Sequence, residues 1–258
     1  MPEGDTIHRT ANRLRPLLEG QSIVRFEAQR LTGDRPQAGD TIQGVEAVGK
    51  NLLVRFPKRL VLHTHMKMTG SWHLYRPQEK WQEPAHLARA VIEIADWVAV
   101  CFAAPTVRTW RDIDGQPNPL SHLGPDLCLP DVDIDLVVAR VANIAETATS
   151  IADVLLDQRM AAGIGNVYKS ETLWACQISP FAPIQAIDDE TQHRLFATAA
   201  RQLQANLTTP TRMTVAGGLG VYGRQRQPCR RCRSTIQLRN HGDQARSTYW
   251  CPTCQPGH

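Results

Sequence analysis

At 258 residues with a formal net charge of +4, the chain is long enough for one or two domains with a buried core, and only mildly basic. That balance alone does not indicate nucleic acid. No apolar run approaches the ~18 residues of a membrane span and no signal peptide opens the chain, so a soluble cytoplasmic protein is expected. The charge is uneven, because residues 221–258 hold seven arginines against one acid, Asp243. Four of the seven cysteines fall in the same segment, which without a secretion signal argues for metal or free thiols before disulfides.

The chain opens Met1-Pro2-Glu3-Gly4. Removal of Met1 would leave Pro2 with a secondary α-amine, a group that titrates near ~7.7–8.0 and so is partly neutral and nucleophilic at cellular pH. Such an amine can attack an aldehyde carbon, and Glu3 could move protons beside it. An ordinary chain start is the alternative. Residues 5–14 read as a helix capped by Asp5 or Thr6, with Ile7, Ala11 and Leu14 at helical spacing and Pro16 disturbing the last turn. It would anchor the N-terminus, which a nucleophile requires.

Short stretches rich in β-branched and aromatic residues follow at 22–29, 41–48, 51–56, 60–65, 71–75, 88–94 and 97–102, separated by turn signals. This spacing predicts a β-sandwich or barrel. Lys50 sits at the turn of Val48-Gly49-Lys50-Asn51, where a solvated lysine is the plain alternative. Met66 and Met68 alternate with polar residues just after a strand, and core filling is the default for both. Prolines, glycines and aspartates over 111–133 mark a linker.

The rest is helical at first. Helices are expected over 133–144, 151–156, 167–176 with Asn166 as cap, and 188–207. A helix opening Gly163-Ile164-Gly165-Asn166 suits a phosphate, although a cap without a ligand would look the same. Cys229-x2-Cys232 and Cys251-x2-Cys254 flank eighteen residues, the spacing of a closed four-thiolate zinc ribbon, with a redox dithiol as the alternative. So short a segment needs the metal to fold. Between the pairs, 236–239 and 244–250 read as a hairpin turning over 240–243, with Arg246 on its second strand in a position suited to phosphate. Cys101, Cys128 and Cys176 read as buried small hydrophobes.

Taken together, Pro2-Glu3-Gly4, Gly49-Lys50, His65 through Gly70, Gly163 through Glu171, Val221-Tyr222-Gly223-Arg224 and the cysteine pairs around Arg246 occur in one order. In this the chain resembles the formamidopyrimidine-DNA glycosylase and endonuclease VIII family of base-excision repair enzymes, over essentially its whole length. The resemblance implies an α+β, two-domain fold: an N-terminal β-sandwich with an N-terminal helix, then a C-terminal helical (helix-two-turn-helix) domain ending in a β-hairpin zinc finger. The boundaries would be 1–120, 121–218 and 219–258.

It further implies a glycosylase and abasic-site lyase acting on double-stranded DNA with an oxidised base or abasic site, as a monomer, with no membrane partner and near the nucleoid. Pro2 would attack C1′ and form a Schiff base resolved by β,δ-elimination, Glu3 would be its acid/base partner, and Lys50 a catalytic cation or phosphate contact. Asn166, Lys169 and Arg246 would contact DNA, Met68 would fill the space left by the flipped nucleotide, and Arg108 would be a second filler. Cys229, Cys232, Cys251 and Cys254 would hold one structural Zn2+. Gly4-Asp5-Thr6 resembles the endonuclease VIII branch, whereas the purine branch usually has Leu-Pro-Glu there and a glutamate in place of Thr6. Residues 208–221 are also short where that branch carries a long capping loop, so oxidised pyrimidines are the expected substrate. Removal of 8-oxoguanine or formamidopyrimidine is the alternative, followed by a catalytically silent DNA-binding protein or a zinc-ribbon scaffold.

Overall fold

The computed structural model describes residues 2–242 and 245–257, and the chain divides between Ser121 and His122 into two compact units. Among the described residues no helix is long and apolar enough to cross a membrane.

The first unit opens with α1 (Gly4–Leu18), whose Ile7, Ala11, Leu14 and Leu18 form one buried stripe. The helix is longer than the sequence analysis places it. Its cap is Glu3, whose carbonyl accepts from the Thr6 and Ile7 amides at 2.9 and 3.1 Å, so neither Asp5 nor Thr6 caps it. Nor does Pro16 end it, because Leu18 is fully buried and Arg15 Nε reaches the Val45 carbonyl at 3.0 Å, holding the last turn in place.

Eight strands follow: β1 (Arg25–Glu27), β2 (Gly44–Val48), β3 (Asn51–Phe56), β4 (Leu60–His65), β5 (Ser71–Tyr75), β6 (Ala88–Glu93), β7 (Val98–Phe102) and β8 (Thr106–Arg111). They form two antiparallel sheets, β1-β6-β7-β5 and β2-β3-β4-β8. Alternation sends Leu52, Val54, Phe56 and Leu62 of one sheet, and Ile92, Ala99 and Cys101 of the other, into a single core with the α1 stripe. The opposite face of β3 and β4 carries Asn51, His63 and His65, and that face bears the candidate site. The strand β8 is absent from the sequence expectations, since Pro105 and an Arg/Thr-rich run hide its alternation. Its outer edge is covered by residues 32–34: Thr109 N donates to Thr32 O at 2.8 Å, and Gly33, at φ +105°, lies too close to Thr109 for any Cβ.

The second unit contains α2 (Ile134–Ile144), α3 (Ile151–Leu156), α4 (Asn166–Cys176), α5 (Asp189–Gln204) and the hairpin β9 (Gln237–His241) and β10 (Arg246–Trp250). Asp133, Ser150 and Asp188 cap α2, α3 and α5 by accepting the amide three residues on. The cap of α4 is Gly165, with Asn166 as its first residue. This corrects the expected Asn166 cap. The hairpin begins one residue later than expected on β9 and extends to His241; the expected turn and second-strand start reach residues 243–244, which lie outside the described residues. Cys101 and Cys128 are buried in the two cores and Cys176 is half-buried against the second. Burial pushes the thiols of Cys101 and Cys176 up, consistent with inert packing.

Candidate DNA-binding site and metal centre

In the first unit the site is built at one end of the β2-β3-β4-β8 sheet. Gly49 and Lys50 form a two-residue turn between the paired Val48 and Asn51, and the φ of +57° at Gly49 is what the first position of such a turn needs. Register continues the end row from Asn51 to His65 and on to Thr106. Just past His65 the chain makes a tight loop in which Gly70 N returns to Met66 O at 2.8 Å. Met66 is buried in the core, whereas Met68 stands at the tip, 62 % exposed. A single exposed methionine is ordinary on a protein surface, and at the loop tip its side chain is available to a partner. Two rows in, Arg108 of β8 pairs with His63 of β4.

The charge on this face is positive. His65 is pushed below its ordinary range first by burial and then by Lys50 and Lys67. His63 is pushed down to about 4, by burial first and then by Arg108 and His65. Both imidazoles are therefore neutral at pH 7. The half-buried Pro2 and the fully buried Glu3 sit at the N-terminus of α1, which packs along β2 and β3. Met1, whose removal the sequence reading invokes, lies outside the described residues.

In the second unit, α4 is buried from Asn166 to Trp174. Asn166 Nδ2 donates to Ser247 O and Oγ at 2.7 and 3.1 Å, directly beside Arg246 at the start of β10. Lys169 is 1 % exposed, and its ammonium donates to Asn166 Oδ1 at 2.7 Å and Thr248 Oγ1 at 2.8 Å. These bonds fasten β10 to the start of α4. The fully buried Glu171 accepts from the Gly220, Val221 and Tyr222 amides at 2.7, 2.8 and 2.7 Å and from the Thr214 hydroxyl. Arg230 adds bonds to the carbonyls of Ala216 and Gly217 at 2.7 and 3.0 Å, and Asn206 brackets Met213 through both N and O at 2.8 Å.

The four ribbon sulfurs lie within 4.8 Å of one another, with Cys232–Cys251 at 3.3 Å and Cys229–Cys254 at 3.9 Å. A tetrahedral zinc site with Zn–S near 2.3 Å spaces its sulfurs at about 3.8 Å, so the cluster fits. Trp174 Nε1 and the Arg231 amide both donate to Cys229 Sγ at 3.4 Å, and the Cys254 amide donates to Cys251 Sγ at 3.4 Å, bonds that support thiolates. Hydrogen bonds from Ser234 push Cys232 down to about 6, whereas burial and then the neighbouring thiols push Cys254 up to about 12. Four thiols this close resist full ionisation by mutual repulsion, which a divalent cation among them removes.

Residues 1–107 match the formamidopyrimidine-DNA glycosylase N-terminal domain, and residues 123–215 match the formamidopyrimidine-DNA glycosylase H2TH domain. A probable endonuclease 8 2 of Streptomyces coelicolor is 38 % identical over 266 residues, covering 100 % of this chain and 95 % of that protein. The chain belongs to the formamidopyrimidine-DNA glycosylase family. The DNA-(apurinic or apyrimidinic site) lyase Nei2 of Mycolicibacterium smegmatis is 34 % identical, with 99 % of each chain covered. In fold the chain is similar to the Lactococcus lactis formamidopyrimidine-DNA glycosylase bound to DNA containing an abasic site. The TM-score is 0.83 and the identity 24 %, over 99 % of this chain and 100 % of that one.

The family's two-domain architecture, with a four-cysteine hairpin at its C-terminal end, accounts for the elements above. Lys50, Met68 and Arg108 share one sheet end, and Asn166, Lys169 and Arg246 meet at Ser247 and Thr248. Sequence reasoning assigned no role to His63, Asn51, Glu171 or Arg230. A histidine within the apolar strand Leu60–His65 and an acid inside a buried helix were the available signals.

Because folded His63 titrates near 4 and an unfolded histidine near 6.5, the unfolded chain binds the extra proton as pH falls. His63 therefore contributes its full stability above pH 6.5 and loses it, by roughly 3 kcal/mol, on the way to about 4. Denaturant unfolding of the parent and of His63→Gln across this window should show the parent losing stability faster as pH falls. Parallel curves would contradict the assignment.

Proposed function

We propose that the protein is a bifunctional DNA glycosylase and abasic-site lyase of base-excision repair that removes oxidised pyrimidines. With Met1 removed, the Pro2 amine attacks C1′ of a flipped nucleotide. The N–C1′ bond forms as the glycosidic bond breaks, and the base leaves with that bond's electron pair. The amine proton passes to the departing base, and this returns to the nitrogen the lone pair that opens the ring. As the sugar ring opens, O4′ takes the C1′–O4′ electrons and needs a proton, which the Glu3 carboxyl can deliver. The resulting iminium acidifies the C2′ hydrogen. Its removal expels the 3′ phosphate, and a second elimination expels the 5′ phosphate. Lys50 supplies positive charge beside the reacting sugar.

Met68 fills the vacated space, which suits its exposed post at the loop tip, and Arg108 is the second filler. Asn166 and Arg246 grip phosphates flanking the lesion. Lys169 serves them from behind, since its ammonium is engaged with Asn166 and Thr248. One Zn2+ held by Cys229, Cys232, Cys251 and Cys254 is structural and fixes the hairpin that bears Arg246. The protein acts on duplex DNA as a monomer, in the cytoplasm at the nucleoid. The domains follow the boundaries 1–120, 121–218 and 219–258.

The observation that carries the pyrimidine preference is the segment 208–221. It is short and tied down by Asn206, Glu171 and Arg230, which leaves little chain to fold over a purine. The relatives named endonuclease 8 2 and Nei2 support the same branch.

Metal analysis of the purified protein should return one zinc per chain, and Cys254→Ser should lower that below one half; full zinc content in the variant would overturn the four-thiolate site. In single-turnover assays with untagged, Met1-processed protein, strands carrying 5-hydroxyuracil should be cut faster than strands carrying 8-oxoguanine opposite cytosine. The reverse order would keep the chemistry and overturn the substrate.

A further inference from the structure

Three arginines of the β2-β3-β4-β8 sheet are fixed by the fold, and one differs from the others. Arg55 pairs with Glu46 and Asp112 at 2.7 and 2.9 Å, and Arg111 pairs with Asp34 at 2.7 Å. Arg108 meets no carboxylate. Its Nε donates to His63 Nδ1 at 3.1 Å, and among the described residues its Nη1 and Nη2 have neither hydrogen-bond nor ion-pair partner. A half-buried guanidinium fastened through one nitrogen to an imidazole keeps its charge uncompensated, and its two-pronged end remains available to an anion. Val107 enters the sandwich core, so Arg108 lies on the other face of the strand, the face of Asn51, His63 and His65.

The bond network continues behind His63. Arg108 Nε can only donate, so Nδ1 accepts and the ring proton sits on Nε2, which lies 2.8 Å from Asn51 Oδ1. Asn51 Nδ2 in turn donates to Val48 O at 3.0 Å, the residue that opens the Gly49-Lys50 turn. Every donor along this line points the same way, from β8 across β4 to the β2–β3 turn, an arrangement in which each bond polarises the next. His63 and Asn51 are buried, 3 % and 6 % exposed, so neither has solvent as a substitute partner.

We propose that His63 is a positioning residue for the cations of this face: one ring nitrogen aims Arg108, and the other, by way of Asn51, holds the turn that carries Lys50. The inference rests on the reading of Arg108 and Lys50 as DNA contacts. An arginine presented by a rigid strand and a fixed acceptor reaches phosphate or an unpaired base with less rotamer freedom to lose. Replacing the imidazole by an apolar group of similar size would leave both Arg108 Nε and Asn51 Oδ1 without their partner.

The test is a double-mutant cycle in single-turnover excision from a 5-hydroxyuracil duplex, using His63→Leu, Arg108→Ala and the two combined, with thermal midpoints measured in parallel. Each single change should slow excision, His63→Leu by about ten- to a hundredfold, and the double variant should be faster than the product of the two factors predicts. His63→Gln, which keeps a donor and an acceptor, should stay within about threefold of the parent. Factors that simply multiply, a His63→Leu enzyme as fast as the parent, or a folded His63→Gln enzyme as slow as His63→Leu would each overturn the inference. If Arg108→Ala excises at the parental rate, the reading of Arg108 as a DNA contact falls, and the inference falls with it. A slow Arg108→Ala beside a fast His63→Leu removes the inference alone. Should His63→Leu fail to fold, Asn51→Ala cuts the same line beyond His63: slowed excision supports the proposal, and parental excision overturns it.

Discussion

The second unit depends on a helix that has no solvent face. An ordinary surface helix buries one apolar stripe and leaves its polar residues to water, whereas α4 buries Asn166, Lys169, Ser170, Glu171 and Thr172 along with its apolar residues. Each buried polar group costs free energy unless it finds a partner, and here the partners come from different segments. Asn166 and Lys169 take β10, Glu171 takes residues 220–222, and Thr172 bonds to Gln202 of α5 at 2.9 Å. At the far end, Trp174 donates to Cys229 while Arg231 stacks on its ring at 4.5 Å and bonds to the Trp174 carbonyl at 3.0 Å. One helix thereby sets where the arginine hairpin, the 213–222 segment and the four-cysteine knuckle lie. The demand for satisfied hydrogen bonds inside a dry helix translates directly into the placement of these segments.

The first unit solves a different problem by the two-residue period of a strand. In β3 and β4 the residues facing inward are apolar apart from Thr64, whose hydroxyl accepts from Trp72 Nε1 at 3.1 Å, and those facing the other way include Asn51, His63 and His65. The apolar core and the polar candidate site thus occupy opposite faces of the same sheet. The loop after β4 repeats the division over three residues, with Met66 buried and Met68 exposed. A neutral imidazole is the appropriate linker on a face already crowded with cations, because it holds an arginine without cancelling its charge.

How far this could be read from the chain depended on how local each cause is. Strands β3, β4 and β5 and helix α3 emerge with their observed limits because alternation or periodicity and their end signals lie within the segment itself. The cysteine pairs are legible for the same reason, since a tetrahedral site demands short spacing within each pair. Backbone capping is less visible: α1 starts at Gly4 and α4 after Gly165 through carbonyls that any residue could supply, so side-chain capping preferences misplace both starts. The roles of His63 and Glu171 are set by partners 45 and about 50 residues away, and no window of sequence contains both ends of such bonds. Lys169 illustrates the same limit, because a lysine in the first turn of a helix looks exposed until Ser247 and Thr248 are brought against it.

In the proposed reaction the secondary amine of Pro2 forms a covalent bond with the sugar, and the iminium that results can be reduced in place. Borohydride reduction of a reaction on abasic duplex, followed by peptide mapping of the trapped protein–DNA adduct, locates that bond. Met1-processed protein should trap with the crosslink on Pro2, and protein forced to retain Met1 should not trap. A crosslink mapped to a lysine, or equal trapping by the Met1-retaining form, would rule out the Pro2 amine as the nucleophile.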